Sequence, residues 1–510
     1  MASLRTCEYT PADRKPVDLV LVIDKSGSMQ GEKMRLTKET AMLVAKELGA
    51  SDRLSIISYD TNVVCSMPLS QMDAAGKTLA SEAIDSIRPG STTNLSGGLM
   101  RGLEELSNVS RPAETTSVLL LTDGLANCGI RDTKSIVSCL ESILAARTTP
   151  CTVFTFGYGL DHDAAMLRAI SDAGGGQYYD MEDGDAVASS FADCLGGLLS
   201  VVCQNVRLRL ECDGARITSV LSPGYQISSE AGALQVEVGD LYSEEFKDIV
   251  FEIALPAGDA AATVKVTLSY LDVVRTELVA ADEVQTTLDR AEVASSELDV
   301  AVIDQINRIE TVATIKQAND LAHTGRFSEG VALLDAAMTR LSLSPAKGSI
   351  LTATLTADLA ECRAGMQDAH VFRTTGSKDC HSMMQSHSKQ RSNRVMKKRR
   401  ASTTPPPGTG DAPLPPDSPY DTPSKRSIRV RWSPAAAATS APSILQHIPA
   451  DSRSSRESWL MLPPPTPTPQ SQTSTTGAGS AQPSPVTMDE FVVVDVAEAT
   501  PPDGAAARRQ

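Results

Sequence analysis

Paired cysteines are missing from this 510-residue chain. Its ten cysteines (Cys7, Cys65, Cys128, Cys139, Cys151, Cys194, Cys203, Cys212, Cys362 and Cys380) stand singly. No CxxC occurs, which excludes a zinc-ribbon or RING-type framework. No apolar run approaches the roughly 18 residues of a membrane span, so no membrane partner is expected. The first fifteen residues, MASLRTCEYTPADRK, have no apolar core and do not read as a signal peptide. Together these features point to a reducing, intracellular compartment, with the cytoplasm as the expected location. The GxGxxG spacing of a dinucleotide loop is also absent, and the glycines at 174–176 read as a turn. Positive charge is scarce before residue 365, with 30 Lys+Arg against 51 Asp+Glu. A body so acidic repels phosphate and is not expected to bind nucleic acid. From Gly365 onward the balance reverses to 17 Lys+Arg against 12 Asp+Glu, and 20 of the 29 prolines and both tryptophans fall there.

What is present begins with VDLVLVI, Val17 to Ile23, a continuous apolar run rich in β-branched residues that reads as a buried parallel strand. It ends in DKSGS, Asp24 to Ser28. One carboxylate and two hydroxyls on one loop are hard oxygen donors, which suit Mg²⁺, Mn²⁺ or Ca²⁺ rather than Zn²⁺. Periodicity and turn residues then predict a helix over 33–48, a strand over 53–59 and a helix over 73–87. The polar turn GSTTNLSGGL enters a helix at about Ser96. A strand over 117–124 carries Asp123 at its carboxyl end. A helix over 133–146, a strand over 152–159, a helix over 163–173, the short strand QYYD and a helix over 186–199 complete the unit. Such alternation makes an α/β fold with a doubly wound, mostly parallel sheet. Asp24, Ser26, Ser28, Thr93 and Asp123 all fall at strand ends or helix starts, edges that converge on one crevice in an open sheet. Bland readings stand beside each. Ser26 and Ser28 can cap the next helix. Thr93 can be a turn hydroxyl with Thr92 the ligand instead, Asp123 can cap a turn, and Asp60 reads as a loop charge.

DxSxS, a Thr before Asn-Leu and an Asp before Gly at a strand end closely resemble the von Willebrand factor A domain and its metal-ion-dependent adhesion site, over about 17–200. The resemblance implies that Ser26, Ser28 and Thr93 give hydroxyl oxygens to a divalent cation, most simply Mg²⁺. It implies that Asp24 and Asp123 hold the ion's waters. With neutral hydroxyls nearest the ion, net positive charge stays toward solvent and a sixth position is left for an Asp or Glu of a partner protein. Binding rather than catalysis is the expected outcome. A phosphatase or hydrolase using Asp24 as nucleophile is the competing class. A haloacid-dehalogenase-type site wants a second acid where Ser26 stands, and no Ser-His-Asp set is evident, His162 reading as a cap neighbour.

Five segments are expected: an N-terminal extension 1–16, the A domain 17–203, an antiparallel β-sandwich-like module 204–285 in which the hydrophobic period falls to two, a helical region 286–364, and a disordered Pro/Ser/Thr-rich tail 365–510. This order resembles the branch of the family in which the A domain is joined to a Vwaint region. Relatives there carry Hint, RING or U-box domains. None of those chemistries is expected here, because the RING cysteines, a U-box and a Cys/His nucleophile are not in the sequence. In the tail, Lys397–Arg400 reads as a nuclear signal, a kinase determinant before Ser402 or a solvated charge run. Ser418-Pro419, Thr422-Pro423 and Ser433-Pro434 are candidate phosphorylation sites, each modification adding roughly two negative charges. Pro463–Pro469 suits an SH3 or WW groove or serves as a spacer. The island MDEFVVVD resembles an autophagy-receptor docking motif at Phe491–Val494 that adds a strand to its partner, or is a generic β-forming patch. The sequence thus predicts an intracellular protein-binding adaptor, with a ubiquitin-pathway scaffold lacking its own ligase domain as a further reading.

Overall fold

In the computed structural model, the apolar run at Val17 is a strand buried along its whole length, as a central parallel strand covered on both faces must be. The structure describes residues 1–6, 14–181, 184–230, 232–256, 261–281, 283–288, 299–392, 418–423, 425–426 and 494–495. A short strand β1 (Ala2–Arg5) precedes β2 (Val17–Asp24). There follow α1 (Glu32–Glu47), β3 (Arg53–Tyr59), β4 (Val63–Gln71), α2 (Ala74–Ser86), α3 (Leu95–Ser107), β5 (Thr115–Thr122), α4 (Thr133–Ala145), β6 (Cys151–Tyr158), α5 (Ala164–Ala173), β7 (Gly175–Met181) and α6 (Gly184–Leu198). The sheet order is β4-β3-β2-β5-β6-β7. All neighbours are parallel except β3 and β4. The order reverses between β2 and β5, and in open α/β sheets that reversal opens a crevice at the carboxyl ends of the strands.

Alternation along β2 divides its side chains between two cores. Leu19, Leu21 and Ile23 pack with Met34, Val44, Ile84, Phe191 and Leu195 of α1, α2 and α6. Val20 and Val22 pack with Leu99, Leu103, Ile136, Leu140, Leu167 and Ile170 of α3, α4 and α5. Helix starts are set by side-chain caps: Asp73, Asn94, Asp132 and Asp163 accept from the backbone N–H groups of Gly76, Gly97, Ser135 and Met166. The antiparallel strand β4 was not expected. It is a half-exposed edge strand, and Pro68 within it is tolerated only because an edge strand leaves some N–H groups without ladder partners.

The second module holds β8 (Val201–Asp213), β9 (Arg216–Val220), β10 (Gln226–Glu230), β11 (Ala233–Tyr242), β12 (Phe246–Ile249), β13 (Phe251–Ala254), β14 (Ala262–Asp272), β15 (Glu277–Ala280) and β16 (Val284–Leu288). One antiparallel sheet runs β10-β11-β8-β14-β15, with β16 also on β14, and β13 pairs with β9. Its core takes Ala2 and Leu4 together with Val206, Leu208, Val236, Ile249 and Val264. The expected extension 1–16 therefore contributes a strand, β1, to this module by pairing antiparallel with β12. Four residues are too few for a period of two to show. A last strand, β17 (Val494–Asp495), lies parallel to β1, Val494 opposite Ala2. The end of the docking-like motif thus pairs within its own chain, and Phe491 lies outside the described residues.

Helices α7 (Val300–His323), α8 (Phe327–Leu343) and α9 (Ile350–Gly365) form the third region. It does not stop at 364, where the tail was expected to begin. A single turn α10 (Ala369–Val371), a π-helical stretch Phe372–Gly376 and α11 (Ser377–Lys389) continue it. The polar sequence of α11 hides three buried apolar residues, Cys380, Met383 and Met384, that pack on Leu355, Leu359 and Phe372. Gly365 and Gly376 let the two backbones touch, since a Cβ on Gly376 would sit 2.3 Å from the Gly365 carbonyl oxygen. Lys397–Arg400, Ser433-Pro434 and Pro463–Pro469 lie outside the described residues.

Helix α11 and the residues after it join the three regions. Gln385 Oε1 accepts from Tyr178 N at 2.6 Å, while its amide nitrogen donates to Asp172 at 2.8 Å and to Ser171 at 3.0 Å. Arg391 donates to Glu245 at 2.5 and 2.9 Å and stacks 3.9 Å over the Tyr242 ring. Burial alone would raise the Glu245 carboxyl, but the charges of Arg391 and Lys247 outweigh it and hold the group well below the usual carboxylate range. Arg391→Ala removes the bidentate partner of a buried carboxylate, so it is expected to cost about 3–5 kcal/mol. Urea unfolding at neutral pH checks this, and a loss below about 1 kcal/mol would show the pair to be dispensable.

Candidate metal centre

The site is assembled where β2 and β5 end side by side, Ile23 opposite Leu121. Asp24 closes β2 and is fully buried. Its Oδ1 accepts from Ser26 N at 2.8 Å and its Oδ2 from Thr122 Oγ1 at 2.6 Å. Gly124 N donates in turn to Thr122 Oγ1 at 2.9 Å. The carboxylate therefore clamps its own loop and the end of β5. Burial pushes the Asp24 carboxyl up to about 6, against the Thr122 and Ser26 hydrogen bonds that favour its charge, and nearby Asp123 raises it further.

Ser26 is buried and Ser28 exposed, with their hydroxyl oxygens 3.1 Å apart. Between them, Gly27 N donates to Ser91 O at 2.9 Å, and Gly90 N donates back to Lys25 O at 2.6 Å. A Cβ on Gly90 would lie 1.9 Å from Asp60 Oδ2, so any larger residue there would displace the Asp60 side chain. Asp60 is more than a loop charge. It pairs with Lys25 at 2.8 Å, and its carbonyl accepts from Asn94 N at 2.9 Å. These bonds bind the loops after β2, after β3 and before α3 into one rim.

Thr93 stands in that rim, 1% exposed. Its carbonyl accepts from Asn127 and Cys128 N at 3.1 Å each, and its own N–H donates to Asn127 Oδ1 at 2.8 Å. Thr92, the alternative, is exposed and shares a 2.7 Å hydrogen bond with Thr61 instead. Asp123 is fully buried. Its Oδ2 accepts from Lys33 Nζ at 3.1 Å, while its Oδ1 is buried with no hydrogen-bond partner. Lys33 also reaches Asp161 at 2.7 Å. Burial lowers that ammonium, but the two carboxylates outweigh it and raise its pKa. His162 sits next to this edge with Nδ1 on Gly159 O at 2.7 Å. Burial lowers its pKa to about 3, which keeps it neutral, and the helix cap is Asp163.

The structure thus puts Asp24, Ser26 and Ser28 on one loop, links Asp24 to the residue before Asp123, and ties the Thr93 loop to both neighbours. Among the described residues no three His, Cys, Asp or Glu gather as metal ligands. A cation here would rely on hydroxyls, backed by two carboxylates. That donor set and the orphaned Asp123 Oδ1 fit a hard divalent ion. Thr122, Lys33 and Asn127 were not singled out from the sequence. Thr122 looks like any strand-ending threonine, and Lys33 like a surface residue of an amphipathic helix.

A family model described as von Willebrand factor type A domain matches residues 18–193. Over 256 residues the chain is 29% identical to the E3 ubiquitin-protein ligase WAV3 of Arabidopsis thaliana, covering 48% of this chain and 32% of that protein. Over 175 residues it is 29% identical to human inter-alpha-trypsin inhibitor heavy chain H1, covering 33% of this chain and 19% of that one. The chain therefore spans a minor part of each of these two relatives. A solved von Willebrand factor type A structure from Catenulispora acidiphila shares the fold at TM-score 0.57 and 18% identity, covering 69% of this chain and 82% of that one. With the six-stranded sheet and its flanking helices, these matches identify residues 18–193 as a von Willebrand factor type A domain.

Proposed function

We propose that this protein is an intracellular adaptor whose A domain captures an Asp or Glu of a partner protein through a divalent cation. Ser26, Ser28 and Thr93 would hold the ion, and Asp24 and Asp123 would orient its waters. When bound, the ion supplies a positive charge with one open position for an incoming carboxylate. Asp24 fixes the serine loop against the end of β5 through Ser26 N and Thr122 Oγ1, and the Gly27 N to Ser91 O bond ties that loop to the one carrying Thr93. The observation that carries the reading is the buried Asp123 Oδ1, a carboxylate oxygen without a partner at the edge where the hydroxyl loops meet. The β module and helices serve as the Vwaint-type companion that braces the domain. A scaffold in a ubiquitin-related pathway is a second reading, favoured by the match to the plant ligase. Full burial of Asp24 favours the binding reading over the phosphatase alternative.

Asp24→Asn is expected to weaken Mg²⁺ binding about 10- to 100-fold, as loss of an outer-sphere anchor does. Calorimetric titration of the full chain measures it, and unchanged affinity in a variant with native circular dichroism would remove the proposed role. Affinity purification with and without EDTA tests partner capture, and partners retained in EDTA would refute cation dependence.

The pH dependence has a defined sign. The folded pKa of Asp24, about 6, lies above its ordinary 3.8. In the cation-free protein this group therefore favours the folded state at low pH, and that contribution is lost as pH rises through about 6. Cation binding needs the carboxylate, so Mg²⁺ affinity should fall up to about tenfold per pH unit below 6. The melting-temperature increment given by Mg²⁺ should shrink between pH 7.5 and 5, and an increment independent of pH would contradict the assignment.

A further inference from the structure

Within a stretch of sequence dominated by Pro, Ser and Thr, the residues 418–423, with Lys425 and Arg426, are set into the body of the protein. Tyr420 is 5% exposed and lies in the helical core with Phe372, Met383 and Met384. Its hydroxyl is 2.9 Å from His387 Nδ1, and His387 Nε2 is 2.9 Å from Asp358. Lys425 is 1% exposed and donates to Asp193 Oδ2 of α6 at 3.2 Å, with its ammonium 5.4 Å from the centre of the Tyr242 ring of β11. The segment thereby touches the A domain, the β module and the helices. Thr422 starts the turn that aims Lys425. Its Oγ1 accepts from Lys425 N at 3.4 Å and its carbonyl from Arg426 N at 3.0 Å. Thr422 is 4% exposed and Pro423 follows it.

We propose that Thr422 is a phosphorylation site for a proline-directed protein kinase, and that its modification releases this segment from the body. The kinase transfers the γ-phosphoryl group of ATP to Oγ1: the bond between phosphorus and the ADP oxygen breaks, the Oγ1–P bond forms, and the hydroxyl proton is lost to solvent. Because the hydroxyl is covered in the docked segment, the kinase acts on the undocked one. The product carries roughly two negative charges. Redocking would bury them beside Asp421, whose own side chain is buried and paired with Arg426 at 3.6 Å, and close to a lysine already committed to Asp193. An unpaired buried charge is strongly disfavoured, so the phosphorylated segment stays out. This inference does not depend on the cation site.

Hydrogen exchange read by mass spectrometry on the full chain, with and without treatment by a proline-directed kinase and ATP, tests it. Amide exchange across 418–426, around Asp193 and around His387 should rise at least about tenfold on phosphorylation, the shift that follows loss of one buried charge-assisted hydrogen bond. The Pro423→Ala chain, which keeps the Thr422 hydroxyl that caps the turn but lacks the proline that the kinase reads, keeps its protection when treated identically. Tyr420→Ala undocks the segment without modification and speeds phosphorylation of Thr422. Lys425→Gln, which leaves the helical core intact, does the same where the Tyr420 variant misfolds. Protection retained in the protein phosphorylated at Thr422, or equal phosphorylation rates in wild type and the undocked variant, overturns the proposal.

Discussion

The two hydrogen bonds accepted by Asp24 are the constraint on which the site depends. One comes from Ser26 N in its own loop and the other from Thr122 Oγ1 at the end of the neighbouring strand. A buried carboxylate is costly unless its oxygens are hydrogen-bonded. Burial without a cationic partner leaves Asp24 hard to ionise. Its pKa of about 6 is the cation-free expression of a group placed where positive charge would be welcome. Asp123 repeats the theme. One oxygen borrows the Lys33 ammonium at 3.1 Å, while the other has no partner.

Around this clamp the remaining loops are fixed mainly by backbone contacts, with the Lys25–Asp60 ion pair and the Asn127 side chain beside them. Gly27 to Ser91, Gly90 to Lys25, Asn94 to Asp60, and Asn127 and Cys128 to Thr93 are all main-chain hydrogen bonds. They make the rim largely independent of side-chain rotamers, as preorganised binding of a small ion requires. Farther away, α11 and Arg391 hold the domain against the β module and helices through Gln385 and Glu245. The A domain is thus one face of a larger body, with the same residues near Asp193 and Tyr242 also receiving the 418–426 segment.

The α/β unit was legible in the sequence wherever an element was long, periodic or fully buried. The run Val17–Ile23 and the run before Asp123 read as central parallel strands, and both are. What stayed hidden was short, polar or stabilised from a distance. The signal of β1 is four residues long, and its burial comes from β12 more than 240 positions away. Strand β4 is half exposed and contains Pro68. Helix α11 reads as SKDCHSMMQSHSK, yet Lys378, Gln385 and His387 in it are all buried because partners elsewhere satisfy their polar groups. The same division holds at the site. Asp24, Ser26, Ser28, Thr93 and Asp123 were readable as a spacing pattern, whereas Thr122 and Lys33 act through contacts that no local pattern carries.

Anomalous diffraction from crystals of the full chain grown with Mn²⁺ tests the central claim most directly. The account predicts one peak at the β2–β5 edge, about 2–2.5 Å from the hydroxyl oxygens of Ser26, Ser28 and Thr93, the range for hard cations on oxygen, with Asp24 and Asp123 behind its waters. No peak at saturating Mn²⁺, or a peak whose ligands exclude Ser26 and Thr93, would contradict it.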